Sequence, residues 1–114
     1  LSDPETVDAL VAAKQRGCNI RLILSPSCAV ATPNTIKKFK DTEIGLRYYN
    51  NPSKLAMGLN LGVFDNKTIV MTSSSWTYYS FFINHEGALI IPSPAAVERI
   101  NSLFEQEWSA GTMP

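Results

Sequence analysis

The sequence lacks the features that would place it in a membrane or on a secretion route. No apolar run approaches the roughly 20 residues that a membrane-spanning helix needs. The N-terminus has no basic region followed by an apolar stretch and a cleavage site, so no signal peptide is indicated. An excess of one charge is lacking too: ten basic residues balance ten acidic ones, which gives no general attraction to nucleic acid or to an anionic surface. We therefore expect a cytoplasmic protein with no membrane partner.

Cysteine and histidine are scarce. Cys18 and Cys28 flank a predicted strand, whose extended backbone would hold their Cα atoms too far apart for a disulfide. Reduced thiols are typical of an intracellular protein. His85 is the one histidine, and we expect neither a metal ion nor a cofactor.

The 114 residues, 45% of them apolar, suit one globular domain over 1–114 without repeats or low-complexity tracts. Pro4 fits the first turn of a helix over 4–16, and Gly17 is a natural stop before an apolar strand over 20–24. A helix followed by such a strand is half of a parallel crossover unit, which predicts a further strand before residue 1. We therefore expect the domain to be part of a longer chain.

Hydrophobic spacing and turn residues predict an α/β fold, a mixed sheet flanked by helices. The predicted helices cover 4–16, 35–40 and 94–108, and the predicted strands cover 20–24, 44–49, 59–64, 68–72 and 87–91. Residues 25–33 are predicted to form a loop, and Asp65 with Asn66 a tight hairpin turn.

Four segments, in their order and spacing, carry a family resemblance over nearly the whole chain. They are VDALVAAKQRGCNIRLIL, IGLRYYN, VFDNKTIVMTSSSW, and NHEGALII with the helix that ends in FEQEW. Together they resemble the phospholipase D superfamily. The resemblance implies one phospholipase D-like half, here without its first strand.

The family's signature is His-x-Lys with an Asp five residues after the Lys. In that chemistry the His attacks phosphorus and the Lys neutralises the phosphoryl oxygens. If Asp65 matches the signature's Asp, Gly58 stands at the His position and Asn60 at the Lys position. Glycine has no nucleophile and asparagine has no charge, so the resemblance implies a domain without catalytic residues.

The family's next polar element is Gly-Ser-x-Asn, which reads Thr72-Ser73-Ser74-Ser75 here, so Ser73 is kept and Ser75 replaces the Asn. Glu86 falls where the family often has an acid that orients the catalytic His. The resemblance therefore places six residues at a ligand-binding cleft, to which Trp76 is added as an aromatic wall: Gly58, Asn60, Asp65, Ser73, Ser75 and Glu86.

Structural explanations exist for several of these residues. Asp65 suits a tight turn whatever its function, and the three serines 73–75 suit either an anion site or a polar corner. The aromatic segment 76–82 suits core packing, with Trp76 and Tyr78 favouring a pocket or an interface. His85 is disfavoured as a replacement nucleophile, because neighbours on a strand point to opposite faces and Glu86 is expected to face the cleft.

Three functions remain as hypotheses. The first is a ligand-sensing and dimerisation domain of a larger transcription regulator, similar in design to archaeal regulators of the TrmB type. The second is a residual phosphodiesterase, such as a nuclease or a phospholipase D-like hydrolase, and the third is a purely structural assembly domain. For the first we expect a homodimer, a small neutral polar ligand such as a sugar, and contact with DNA only through another domain of the full chain.

Overall fold

The computed structural model describes residues 1–50, 58, 60–77, 83 and 85–114. The elements are α1 (Pro4–Gln15), β1 (Arg21–Leu24), α2 (Cys28–Ala31), α3 (Pro33–Asp41), β2 (Gly45–Tyr48), β3 (Leu61–Phe64), β4 (Thr68–Thr72), β5 (Ala88–Ile91) and α4 (Pro94–Ala110). None of the helices in these described parts of the chain is long and apolar enough to cross a membrane.

The first half of the chain is a parallel two-stranded unit. β1 pairs with β2 in a register that sets Arg21 beside Gly45, and the chain returns between them through α2 and α3, as a parallel pair requires. Val7 of α1, Phe39 of α3 and the nearby Ile44 are buried together and form the centre of the core. Helix α1 therefore lies against this unit through its apolar face.

The second half is an antiparallel sheet with the order β3-β4-β5. Asp65 and Asn66 join β3 to β4 with positive φ angles of 56° and 54°, and the amide of Lys67 donates to the carbonyl of Phe64 at 3.1 Å. This is the geometry of a type I′ hairpin turn, which Asp and Asn tolerate better than other non-glycine residues. Ile69 of β4 is 1% exposed and anchors the sheet's buried face.

Helix α4 contacts both halves. Ser93 caps it by accepting a hydrogen bond from the amide of Ala96, and Val97 is buried. Near its other end, Trp108 lies under two guanidinium groups, with Arg21 at 5.2 Å and Arg47 at 4.7 Å from the ring centroid. These cation–π contacts fix the end of α4 against β1 and β2.

Arg21 also forms a two-pronged ion pair with Glu105 of α4. The hydrogen bond from Arg21 lowers the pKa of the Glu105 carboxyl, and the same bond raises the pKa of Arg21. The side chains remain 36% and 57% exposed, so solvent screens the pair.

The predicted α/β class is confirmed, with parallel and antiparallel pairing and flanking helices. The helix predicted over 94–108 extends to Ala110, and the strand predicted over 68–72 has the same bounds. The loop predicted over 25–33 is wrong in part: Cys28–Ala31 is a short helix, and α3 begins at Pro33, which fits a first helical turn. Tyr78, Tyr79, Phe81, Phe82 and Leu59 lie outside the described residues.

Candidate functional site

Ser73 and Glu86 meet at the end of the antiparallel sheet. Ser73 follows β4 and Glu86 precedes β5, and the amide of Ser73 donates to the carbonyl of Gly87 at 3.0 Å. The Ser73 hydroxyl accepts from the amide of Gly87 at 3.0 Å and donates to the Glu86 carboxylate. Two predicted site residues are thus in direct contact on an exposed corner, and their role in binding a ligand stays a prediction.

Asn60 lies at the same end of the sheet. Its carbonyl accepts a hydrogen bond from the amide of Thr72 at 3.0 Å, which places it one residue from Ser73 across the strand pair. Gly58 is exposed, and a Cβ atom built on it would meet no atom of the described residues within 4 Å. In these surroundings, crowding does not explain why glycine stands where the signature has His.

Asp65 lies elsewhere. It occupies the hairpin turn at the far end of β3, five residues from Asn60 along an extended strand, or roughly 16 Å at the usual rise per residue. The structure therefore does not bring Asp65 together with Asn60, Ser73 and Glu86. The reason is geometric, because the hairpin puts the two ends of the signature at opposite ends of one strand.

The residues after Ser73 form a tight turn that reaches the start of α1. Ser74 is buried, and its hydroxyl accepts from the amide of Trp76 at 3.2 Å. Trp76 has a positive φ of 60°, and its carbonyl accepts from the amides of Ser2 and Asp3 at 3.0 and 3.2 Å. Ser75 is exposed, with its hydroxyl 3.4 Å from that of Thr77. Trp76 therefore connects the candidate site to the first helix.

Sequence reasoning missed the part that Thr72 plays. Its hydroxyl donates to the carbonyl of Gly87 at 3.1 Å and accepts from the amide of Ser74 at 2.9 Å. Both Thr72 and Ser74 accept from the amide two residues onward, which is the hydrogen bond of an ST turn. The run of hydroxyl residues 72–75 carried that signal, since such residues favour local bonds to the backbone.

The described members of this site supply one carboxylate, from Glu86, several hydroxyls and the Asn60 amide. At the signature's nucleophile and cation positions they supply neither an imidazole nor an ammonium group, because these positions are Gly58 and Asn60. His85 is exposed beside Glu86. No three His, Cys, Asp or Glu residues in the described ranges are grouped so that they could hold a metal ion. The chemistry available is hydrogen bonding to polar groups, with more acceptors than cations.

Comparison with known proteins gives a family and a fold. The family model described as cardiolipin synthase, PLD-like domain, matches residues 1–108. No curated protein is significantly similar in sequence. The chain resembles the phospholipase D family member Nuc from Salmonella typhimurium with a TM-score of 0.88 and 24% identity, covering 97% of this chain and 74% of Nuc.

Two further solved structures share the fold at lower similarity. TrmBL2, an archaeal chromatin protein described as showing a novel mode of DNA binding, has a TM-score of 0.64 and 16% identity, covering 96% of this chain and 40% of TrmBL2. NucT from Helicobacter pylori has a TM-score of 0.55 and 12% identity, covering 95% of this chain and 90% of NucT. Identities this low carry the fold and no particular activity.

Proposed function

This chain belongs to the phospholipase D-like domain family, and from that premise we propose that it is a catalytically inactive member, acting as a ligand-sensing and dimerisation domain of a larger cytoplasmic regulator. One observation carries the proposal. Ser73 and Glu86 keep the family's polar corner, whereas Gly58 and Asn60 occupy the positions of its nucleophile and its phosphate-binding cation. The polar corner is therefore present without the nucleophile and the cation that phosphoryl transfer requires.

The missing groups account for the inactivity. Covalent catalysis at phosphorus needs a nucleophile, and a glycine supplies none. The charge that develops on the phosphoryl oxygens needs a cation nearby, and the amide of Asn60 carries no charge. Each contribution is commonly worth orders of magnitude in rate, so losing both leaves no measurable hydrolysis.

The groups that remain suit a small neutral polar ligand such as a sugar. The Glu86 carboxylate and the Ser73 and Ser75 hydroxyls accept hydrogen bonds from ligand hydroxyls, and the Asn60 amide can donate. Trp76, which is half-buried, would offer an apolar wall on which a sugar ring could stack. Since Asp65 lies at the other end of the hairpin, it is not part of this lining.

The regulatory setting rests on the likeness to TrmBL2. This chain covers 40% of TrmBL2, so most of that protein lies outside the shared fold. We propose the same division here: residues 1–114 form one domain of a longer chain, and DNA contact belongs to another domain. Active family members pair two motifs face to face, so a single motif implies a partner, for which a second copy with two-fold symmetry is the simplest choice.

A thermal-shift screen of sugars against the full-length protein tests this proposal. We expect a polyol to raise the melting temperature, because a ligand that binds only the folded state stabilises it by mass action. Ser73→Ala and Glu86→Ala should abolish the shift, while Glu98→Ala on the exposed face of α4 should keep it. If no polyol shifts the melting temperature and Glu86→Ala weakens only dimerisation in sedimentation experiments, the assembly function replaces the sensor.

A residual phosphodiesterase is the second candidate. The description of the matching family model names a synthase, so the family includes enzymes. It would need a nucleophile other than Gly58, and His85 is the exposed imidazole beside Glu86. A direct assay of hydrolysis separates this candidate from the first.

A further inference from the structure

Trp76 holds a backbone conformation that a bulky residue rarely adopts. Its φ of 60° lies in the left-handed region, where the Cβ atom of an L-residue crowds the backbone. Such a conformation persists only where the surroundings hold it in place, and it is often found where a segment has two competing arrangements.

The surroundings of Trp76 hold it from both sides. Its carbonyl accepts from the amides of Ser2 and Asp3, which precede α1. Its amide donates to the hydroxyl of Ser74. Asp3 and Ser74 are each 3% exposed, and Asp3 also caps α1 by accepting from the amide of Thr6 at 2.9 Å. The strained residue therefore lies between the start of a helix and a buried serine.

The same hydrogen bonds continue to the candidate ligand site. The amide of Ser74 donates to the hydroxyl of Thr72, and that hydroxyl donates to the carbonyl of Gly87. The residue between them, Ser73, donates to the carboxylate of Glu86. Within five residues, 72–76, hydrogen bonds linked by the intervening backbone run from the Glu86 corner to Ser2 and Asp3, which precede α1.

We propose that this segment, residues 72–76, is a conformational switch that couples occupancy of the Ser73–Glu86 corner to the N-terminal end of α1. The inference rests on the proposed function in two respects, that a ligand binds at the corner and that residues 1–114 belong to a longer chain. A ligand hydroxyl that donates to the Glu86 carboxylate competes with the Ser73 hydroxyl and displaces it. The network that leads to Trp76 then loses the bond at its far end, and relaxation of Trp76 turns its carbonyl away from Ser2 and Asp3. The hydrogen bonds of Ser2 and Asp3 to Trp76 then break, and the segment that precedes α1 is released from this contact.

Amide hydrogen exchange in the full chain, measured by NMR without ligand, tests the coupling. Ser73→Ala and Glu86→Ala each remove the corner contact, and we expect exchange to speed up by about fivefold to tenfold at Trp76, Ser2 and Asp3, a typical size for coupling between sites. Glu86→Gln keeps an acceptor oxygen and should retain most of the protection. The amide of Ile69, which is 1% exposed in the central strand β4, reports global stability and should not change.

Ser102→Ala is the matched control, because Ser102 is exposed on α4, outside the 72–76 segment. It should leave exchange at Trp76, Ser2 and Asp3 as in the parent chain. The proposal is overturned if the faster exchange stops at Ser73 and Gly87, or if Ile69 loses protection equally. Because no ligand is present, this outcome is separate from a failure of the sugar screen: the corner can bind a ligand without being coupled, or be coupled without binding a sugar.

Discussion

The hydroxyl of Ser73 donates a hydrogen bond to the carboxylate of Glu86 across the ends of β4 and β5. In the family chemistry an acid at this position orients a catalytic imidazole, and here the matching position is Gly58. The acid therefore orients a serine of its own chain. That serine also accepts from the amide of Gly87, so the pair continues the strand ladder beyond its last regular residues. The corner is thus held by hydrogen bonds within the chain, and it leaves Glu86 at the surface.

Trp76→Gly should be more stable than Trp76→Ala by about 1 kcal/mol, the reverse of the order usual in helices and strands. Both variants lose the indole ring, but only glycine adopts the φ of 60° without strain. Urea unfolding of the two variants measures the difference directly. Equal stabilities would show that residue 76 does not have a positive φ. The proposed switch would then have no strained residue at this position.

Asn66→Gly should leave the hairpin unchanged or stabilise it by about 0.5 kcal/mol, whereas Asn66→Val should destabilise it by at least about 1 kcal/mol. Asn66 has a φ of 54°, which a β-branched residue resists. The side-chain oxygen of Asn66 also accepts a hydrogen bond from the side-chain Nδ2 of Asn101 at 3.2 Å, so Asn101→Ala is needed to measure that bond alone. Chemical unfolding of the three variants checks the turn type, and a valine that costs nothing would contradict it.

Phe39→Ala should cost about 3–5 kcal/mol in the free energy of unfolding, because it removes a large side chain from a packed core. Phe39 is 0% exposed and contacts the cluster of Val7 and Ile44. Val30→Ala is the control: Val30 is 87% exposed, and its truncation should stay within about 0.5 kcal/mol of the parent. Similar losses for both variants would mean that the core does not lie between α1, α3 and β2.

Glu105→Gln should reduce the loss of stability that the parent chain shows between about pH 7 and about pH 3. The hydrogen bond from Arg21 lowers the pKa of Glu105 in the folded state, so the pair stabilises the fold above the ordinary pKa of a glutamate. That contribution is lost as the pH falls through the lowered pKa. The urea concentrations at the unfolding midpoint, measured at both pH values, give this change in stability. We expect a small difference between the variant and the parent chain, because solvent screens the ion pair.

Combining Arg21→Met with Glu105→Gln gives a double-mutant cycle that isolates the ion pair between Arg21 and Glu105. Arg21 also lies 4.9 Å from the centroid of the Phe104 ring and contacts Trp108, so the single substitution removes more than the ion pair. In the Arg21→Met background, Glu105→Gln should no longer alter the pH dependence. An unchanged effect in that background would assign the pKa shift to another partner.

Local signals in the sequence predicted most of the fold. Pro4 and Gly17 bracket the first helix, Asp65 with Asn66 marks the hairpin, and Pro94 marks the start of α4. Each acts within a few residues, through capping, turn conformation or the fixed φ of proline. Ser73 and Glu86 were expected at one cleft from the family resemblance, and the pairing of β4 with β5 brings them into contact.

Features that depend on contacts distant in sequence were not predictable in this way. Nothing near Trp76 in the sequence indicates that its carbonyl would meet the amides of Ser2 and Asp3, more than 70 residues earlier. The contact of Arg21 and Arg47 with Trp108 likewise depends on where α4 packs. The distance of Asp65 from Asn60, by contrast, follows from local signals, because a predicted strand separates the two ends of the motif.

Hydrolysis of bis(p-nitrophenyl) phosphate by the purified full-length protein tests the central claim most directly. With Gly58 and Asn60 at the positions of the nucleophile and the cation, the account predicts no release of nitrophenol above the buffer rate. His85→Ala, assayed beside the parent chain, should give the same trace. Activity that survives purification and disappears in His85→Ala would contradict the account and identify the chain as a working phosphodiesterase.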